Sequence, residues 1–291
     1  MRLMPRLLAL GHVTWDRAPG GDVLGGSAAY AALAARRLGW RAGVVTSAGP
    51  EFDPARELPG IDAFLARGDA TTRFTNTYAG DGTRRQVLEA RAPDVDVALA
   101  PDAWRDPEAL LLAGVAGELP PRAAHAFEAG VVGALAQGYV REFDAEGRVR
   151  PRAWRDPGAD LQGVHVLFLS EHDLGDGAVE ARARDLLRVV PVVALTRGWR
   201  GLTLLTRDAA HEVPSLPRPE VDPTGAGDVF AAAFLVGYHE TGDPLEAAAF
   251  ACCAASCAVE GVGATTLGDR AEIERRRARR ERLIEDGEWE D

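Results

Sequence analysis

Asp228 closes the string Val221-Asp222-Pro223-Thr224-Gly225-Ala226-Gly227-Asp228, and the ten residues after it are almost all apolar. Pro223 and the two glycines bar a regular element up to Gly227, whereas the alanine-rich run beyond predicts a helix buried on most of its circumference. A turn that opens a helix leaves its first amides, here those of Gly225, Ala226 and Gly227, unpaired at the positive end of the helix dipole. That is a site suited to an anion. A carboxylate beside such a site binds phosphate poorly but accepts the proton of an incoming hydroxyl. The chemistry implied is phosphoryl transfer from a nucleotide to an alcohol, with Asp228 as general base. As a bare turn, the same residues also fit a tight loop whose Asp228 only complements the dipole.

A second glycine-to-helix junction stands near the other end of the chain, at Gly25-Gly26-Ser27-Ala28-Ala29-Tyr30. Glycine there lets a ligand approach the backbone, and the helix start again offers donors. Upstream, residues 7–13 form a continuous apolar run expected to be a buried parallel strand, with Asp16 emerging at its carboxyl end. Ligands bind at that edge of an open α/β sheet, and one carboxylate can accept hydrogen bonds from two neighbouring hydroxyls, so Asp16 is a polyol-binding candidate. An aspartate making a local turn is the alternative.

The sequence contains no lysine. A Walker A loop and the protein-kinase strand lysine are therefore excluded, and any phosphate chemistry must rest on backbone amides, metal and arginine. A net charge of -11 argues against nucleic acid as a partner. The basic run around Arg275, Arg276 and Arg277 is interleaved with Glu272, Glu274 and Glu281, as expected of a solvated helix with pairs across one turn. At 46% apolar residues, with no apolar run near twenty, the 291-residue chain fits a globular protein with no membrane partner. Its first apolar stretch is too short for a signal-peptide core, so a cytoplasmic location is expected. Cys252, Cys253 and Cys257 lack metal-ligand spacing and read as reduced core thiols, and the six histidines form no ligand cluster.

The eight-residue string ending in Asp228 resembles the C-terminal signature of the ribokinase-like (PfkB) carbohydrate kinases, and Gly25-Gly26 with its helix resembles their N-terminal signature. The resemblance covers nearly the full length. It implies an ATP-dependent, magnesium-requiring kinase acting on a sugar or cyclitol, with Asp16, Gly25 and Gly26 positioning the polyol. Tyr30 stands where the family carries a sugar-facing asparagine. The segments Thr71-Thr72-Arg73-Phe74-Thr75-Asn76-Thr77-Tyr78 and Gly82-Thr83-Arg84-Arg85-Gln86 look like the short branch that includes myo-inositol kinases. This implies Arg85 and Gln86 as substrate contacts, although arginine on an edge strand also serves solubility alone.

On the donor side, the resemblance implies that Ser170 and Asp173 replace the family's asparagine and glutamate. Asp173 would act through magnesium-bound water, a role for which Glu171 competes. Thr196, Gly198 and Gly201 match the nucleotide loop, joined by Thr224, Gly225 and Gly227. Cys253 falls near the family's adenine-side asparagine, and Asp222 is implied near a monovalent cation, K+. Other acceptors within the fold, a nucleoside or a phosphosugar, remain open, as does a non-catalytic sugar- or nucleotide-sensing module.

These residues need one scaffold to meet. Strand, loop and helix patterns alternate from residue 110 to 190, with strands at 131–136, 164–169 and 192–196 and a helix at 177–188. The expected fold is a three-layer α/β/α domain with a mostly parallel sheet, spanning residues 1–291 as a monomer or homodimer. Residues 17–25 and 61–91 are expected to supply antiparallel strands of a small lid, with a hairpin turn at 79–82.

Overall fold

Short apolar runs bounded by glycine, proline or turn residues set the strands, and alanine-rich runs behind glycine or aspartate set the helices. The computed structural model describes residues 4–18, 20–78, 84–175 and 177–286, apart from the side chains of Tyr78, Arg84 and Arg85. The expected turn at 79–82 and the Arg85 side chain lie outside the described residues. The strands are β1 (Arg6–Leu10), β2 (Thr14–Ala18), β3 (Gly21–Gly25), β4 (Arg41–Ala48), β5 (Asp62–Arg67), β6 (Thr72–Tyr78), β7 (Arg84–Ala90), β8 (Ala109–Leu112), β9 (Val131–Leu135), β10 (Arg141–Phe143), β11 (Val149–Pro151), β12 (Val166–Ser170), β13 (Val192–Thr196), β14 (Leu202–Thr206) and β15 (Ala210–Val213). The helices are α1 (Ser27–Arg37), α2 (Pro54–Glu57), α3 (Pro157–Asp160), α4 (Val179–Asp185), α5 (Ala226–Thr241), α6 (Pro244–Ala258) and α7 (Arg270–Glu285).

Among the described residues the central sheet has nine strands in the order β15-β14-β13-β12-β9-β8-β1-β4-β5; β14 pairs antiparallel with both its neighbours, β13 and β15, and the other pairings are parallel. Alternate residues of each central strand feed two cores. Leu7 and Ala9 pack on the side of α1, α5 and α6, whereas Leu8 and Leu10 pack on the other side with Trp104, Leu161 and α4. The expected α/β/α layering is thereby observed. Asp243 caps α6 and Asp269 caps α7 through side-chain bonds to amides of the first turn. No helix among the described residues is long and apolar enough to cross a membrane.

The lid differs from the expectation in three respects. First, residues 62–67 form β5, which pairs in parallel with β4 at the edge of the central sheet and is not part of the lid. Its alternation serves two cores, with Ala63 and Leu65 against one and Phe64 against the other. Second, Gly11 ends the first strand early. Its φ is +155°, and a Cβ there would lie 2.2 Å from the Ala113 carbonyl oxygen. Asp16 consequently sits within β2, a lid strand, and not at the end of a core strand.

Third, the lid order is β3-β2-β6-β7, and its middle pair, β2 and β6, is parallel. Both strands grow from the carboxyl end of a parallel sheet strand, β1 and β5 respectively, so they run the same way. The hairpin β10–β11 extends the lid through a bridge between Val87 and Arg148 and a small apolar cluster of Phe74, Leu88, Phe143 and Val149.

A buried polar post fastens the roots of the lid. The His12 ring is fully buried, with Nε2 donating to the Pro93 carbonyl (2.8 Å) and Nδ1 accepting from the Thr72 hydroxyl (2.7 Å). That pattern requires the neutral ring, and burial pushes the His12 pKa down, first among its causes. The buried Glu118 carboxylate collects the amides of His12, Val115 and Ala116.

Candidate active site

Gly225 caps α5 in the left-handed conformation, with φ +81°. A Cβ there would meet the Tyr30 ring at 2.6 Å, so Tyr30, only 3% exposed, packs directly beneath the turn. The loop before it is tied down at both ends. The amides of Val221 and Asp222 donate to the Val259 carbonyl (2.8 and 3.2 Å), and the Asp222 carboxylate accepts the Thr224 amide (2.9 Å). Asp222 therefore organises the turn and does not line the cleft. Among the described residues no three metal-capable side chains gather.

Within the turn, the Ala226 amide donates to Pro223 (3.2 Å) and the Asp228 amide to Gly225 (3.1 Å). The expected trio of open amides thus loses Ala226, which closes the turn itself. The amides of Gly225 and Gly227 make no such bond among the described residues, and both residues line the cleft. Asp228 stands beside them in the first turn of α5, whose next nine residues are all buried. This rigid helix start presents two donors and one carboxylate to the same space.

That space is a cleft of about 1630 Å³ running from the lid to the far end of the sheet. At the lid end lie Asp16, Thr77, Gln86 and Gly26, with Thr14 donating to Asp16 Oδ1 at 3.3 Å. Gly25 pairs with Thr14 across the lid strands, and a Cβ on it would fall 2.7 Å from the Asp16 carboxyl carbon. Its bareness makes room for that carboxylate. Gly26 starts α1 at φ +92°, 2.4 Å from the His12 carbonyl oxygen at its would-be Cβ.

At the far end lie Ser170, Asp173, Thr196, Gly198, Trp199 and Gly201. Ser170 and Asp173 form a reciprocal cap: the Ser170 amide donates to Asp173 Oδ2 (2.8 Å) and the His172 amide to Ser170 Oγ (3.2 Å). Burial pushes the Asp173 carboxyl above its usual range, partly offset by the Ser170 amide and the charge of Arg141. Glu171 points elsewhere, holding Arg200 through both carboxylate oxygens at 2.6 and 2.7 Å. Cys253 does not line the cleft, which is reached by Cys252 instead. Burial pushes the Cys252 thiol up to about 12 and the Cys253 and Cys257 thiols to about 11, so all three stay protonated at neutral pH.

Residues 126–270 match the family model described as pfkB family carbohydrate kinase. A fructokinase of Klebsiella pneumoniae is 30% identical over 281 residues, covering 84% of this chain and 88% of that relative. The chain belongs to the pfkB family of carbohydrate kinases. It is a phosphotransferase with an alcohol group as acceptor. A nucleoside kinase of Methanocaldococcus jannaschii is 29% identical over a shorter stretch of 126 residues, 38% of this chain and 42% of that relative. The fold superposes with a TM-score of 0.74, at 21% identity, on a pyrophosphate-dependent kinase in the ribokinase family complexed with a pyrophosphate analogue and myo-inositol, covering 92% of this chain and 99% of that one. The kinase therefore has the ribokinase-like fold.

Three features of this kinase's cleft escape a reading of the sequence alone. The β10–β11 hairpin brings Arg141, Arg148 and Arg150 to the cleft wall, and Trp199 stands 69% exposed at its far end. Arg218 joins them with a side chain 17% exposed and 3.3 Å from Glu260. The hairpin had a local signal, Asp144-Ala145-Glu146-Gly147 between two short runs, with Gly147 at φ +74°.

Proposed function

We propose that the chain transfers the γ-phosphoryl group of ATP to a hydroxyl of a sugar or cyclitol, a myo-inositol-like polyol, with Asp228 as general base. The observation that carries this reading is the placement of the Asp228 carboxylate beside the open Gly225 and Gly227 amides, in one cleft with Asp16 on the lid. Asp16 and Gln86 accept and donate bonds to acceptor hydroxyls while the lid sheet keeps water from competing for the phosphoryl group. The two amides face charge as it develops on the transferred group.

Magnesium fits the cleft through one carboxylate, Asp173, because that ion keeps several waters and binds mainly to donor phosphates, whose charge it spreads. Asp173 would hold such a water with the oxygen not committed to the Ser170 amide. The enzyme would work in the cytoplasm, where ATP is at hand.

Gly25→Ala tests the acceptor side. The new methyl has no room beside Asp16, so the acceptor KM is expected to rise by about tenfold with the donor KM held. Steady-state kinetics with acceptor varied decides it, and an unchanged KM removes Asp16 from the acceptor site.

The exposed indole of Trp199, next to the Gly198 turn, favours a donor with a base to stack upon. Pyrophosphate, the donor of the structural relative, has none. ADP or phosphate release is therefore to be measured across myo-inositol, ribose, fructose, other sugars and nucleosides, with ATP or pyrophosphate as donor. Turnover with ATP and one polyol supports the reading; turnover with pyrophosphate alone overturns the donor, and turnover with nucleosides alone overturns the acceptor. Trp199→Ala is expected to raise the ATP KM by about tenfold, the range for one lost base stack, and to leave any pyrophosphate-driven rate unchanged.

A further inference from the structure

Between β15 and the Asp228 turn the chain reads Pro214-Ser215-Leu216-Pro217-Arg218-Pro219-Glu220. The prolines hold this stretch extended, and Pro219 bars Arg218 from the helical region. The stretch crosses the donor half of the cleft. At its start, a Cβ on Gly201 would lie 2.7 Å from the Ser215 nitrogen, which sets the segment against the loop that carries Trp199. At its end, the Val221 amide donates to the Val259 carbonyl (2.8 Å), which ties down the loop before Gly225. Arg218 lies midway along the segment and lines the cleft.

The protein itself satisfies little of this guanidinium. The side chain is 17% exposed, yet its Nε is buried and its nitrogens make no hydrogen bond among the described residues. Glu260 lies 3.3 Å from Nε, an ion pair without hydrogen-bond alignment. Both Glu260 oxygens are held by Arg276 instead, at 3.2 and 2.8 Å. Cys252, Ala255, Ser256 and Val259 of α6 line the same cleft. The Ser256 hydroxyl is already spent, donating to the Cys253 carbonyl (2.7 Å) and accepting from Arg276 (3.1 Å). A mostly buried fork of five donors, left without acceptors by the protein, is matched to acceptors that a ligand brings.

We infer that Arg218 reads the base of the phosphoryl donor and admits keto purines, so that GTP and ITP serve as donors alongside ATP; this rests on the kinase reading above. Guanine and hypoxanthine present two acceptors, O6 and N7, on one edge, which two N–H groups of a guanidinium meet together. Adenine presents N7 beside an amino group whose hydrogens face the guanidinium hydrogens. Stacking on Trp199 is indifferent to this edge, so the indole supplies affinity and Arg218 supplies choice. The transfer step is the same for each donor. The acceptor hydroxyl gives its proton to Asp228, its oxygen bonds to the γ-phosphorus, and the electron pair of the broken bond leaves with GDP, IDP or ADP.

The test compares kcat/KM for ATP, GTP and ITP in wild type, Arg218→Met and Arg218→Lys, with whichever acceptor the wild type turns over. In wild type, GTP and ITP are expected within threefold of ATP or above it. Arg218→Met should lower both by about tenfold or more, the range for one lost bidentate contact, and leave ATP within threefold. Arg218→Lys keeps the charge beside Glu260 but not the fork, so Tm should hold while GTP and ITP fall as in Arg218→Met. GTP or ITP more than threefold below ATP in wild type, an equal loss of all three donors in Arg218→Met, or full recovery in Arg218→Lys overturns the assignment.

Calorimetric titration of ADP, GDP and IDP with magnesium needs no acceptor and separates this inference from its parent. Wild type should bind GDP and IDP at least as tightly as ADP, and Arg218→Met should lose affinity for GDP and IDP alone. Binding of ADP without GDP or IDP overturns the role of Arg218 and leaves the kinase reading standing. A wild type silent with every acceptor and donor overturns the kinase reading, and the titration still decides the base preference.

Discussion

Asp228→Asn is expected to lower kcat by between about a hundredfold and ten-thousandfold, the range for removing a general base, while ATP binds as tightly as before or more so. The two halves of this expectation have separate causes. Asparagine keeps the shape of the side chain and therefore the first turn of α5, but it cannot accept a proton. Under the proposed function the donor phosphates would sit against the Gly225 and Gly227 amides, where a neighbouring carboxylate would repel them, so its neutralisation would remove a repulsion. Loss of its favourable position at the positive end of the helix costs under about 1 kcal/mol, too little to unfold the chain. ADP release and equilibrium titration of nucleotide, run on the same preparation, decide the matter. A rate within a few-fold of wild type takes Asp228 out of the base role, and lost nucleotide binding would show that it shapes the turn instead.

Gly225→Ala should damage both folding and turnover. At φ +81° an L-residue costs about 1–2 kcal/mol, and forcing a methyl into the Tyr30 ring adds the about 1–3 kcal/mol typical of overpacking. Tyr30 is enclosed by the α1 and α5 core and cannot simply swing away, so the helix start must move. A fall in Tm of several degrees is expected, and a loss in kcat of about a hundredfold, because displacing a reacting group by about 1 Å costs that much. Gly227→Ala provides the contrast in stability. A Cβ there meets nothing within 4 Å and φ is not positive, so Tm should hold. Calorimetry with kinetics on both variants separates backbone strain from loss of glycine as such; equal melting of Gly225→Ala and wild type would contradict the packing described.

The start of α5 was legible because proline and glycine beside an alanine-rich run leave one interpretation, and the Gly25-Gly26 junction was legible for the same reason. The root of the lid was not. Val13 is as buried as Leu10, so the apolar run hides the break that Gly11 makes, and Asp16 moves from sheet edge to lid strand. Residues 62–67 alternate as a half-exposed strand does, yet both faces pack, which only the placement of Trp104 and α1 reveals. Tyr30 could be read as a ring shaping the pocket but not as the floor under Gly225, because that contact joins residues 195 positions apart. Arg141 carried no local signal for its reach, which depends on the hairpin folding back on the lid.

The polar post at His12 bears on how the acceptor wall moves. Swinging the lid about its root would strip a fully buried imidazole and a buried carboxylate of their partners, each loss costing on the order of 1–3 kcal/mol. Thermal motion should therefore bend the lid beyond Thr14 and Thr72, not rotate it as a body. The cost of ordering this wall falls on the folding of the chain, before any acceptor arrives, and hydrogen exchange should find the amides of His12, which donates to Glu118, and Ala92, which donates to the Thr72 hydroxyl oxygen, among the slowest in the molecule.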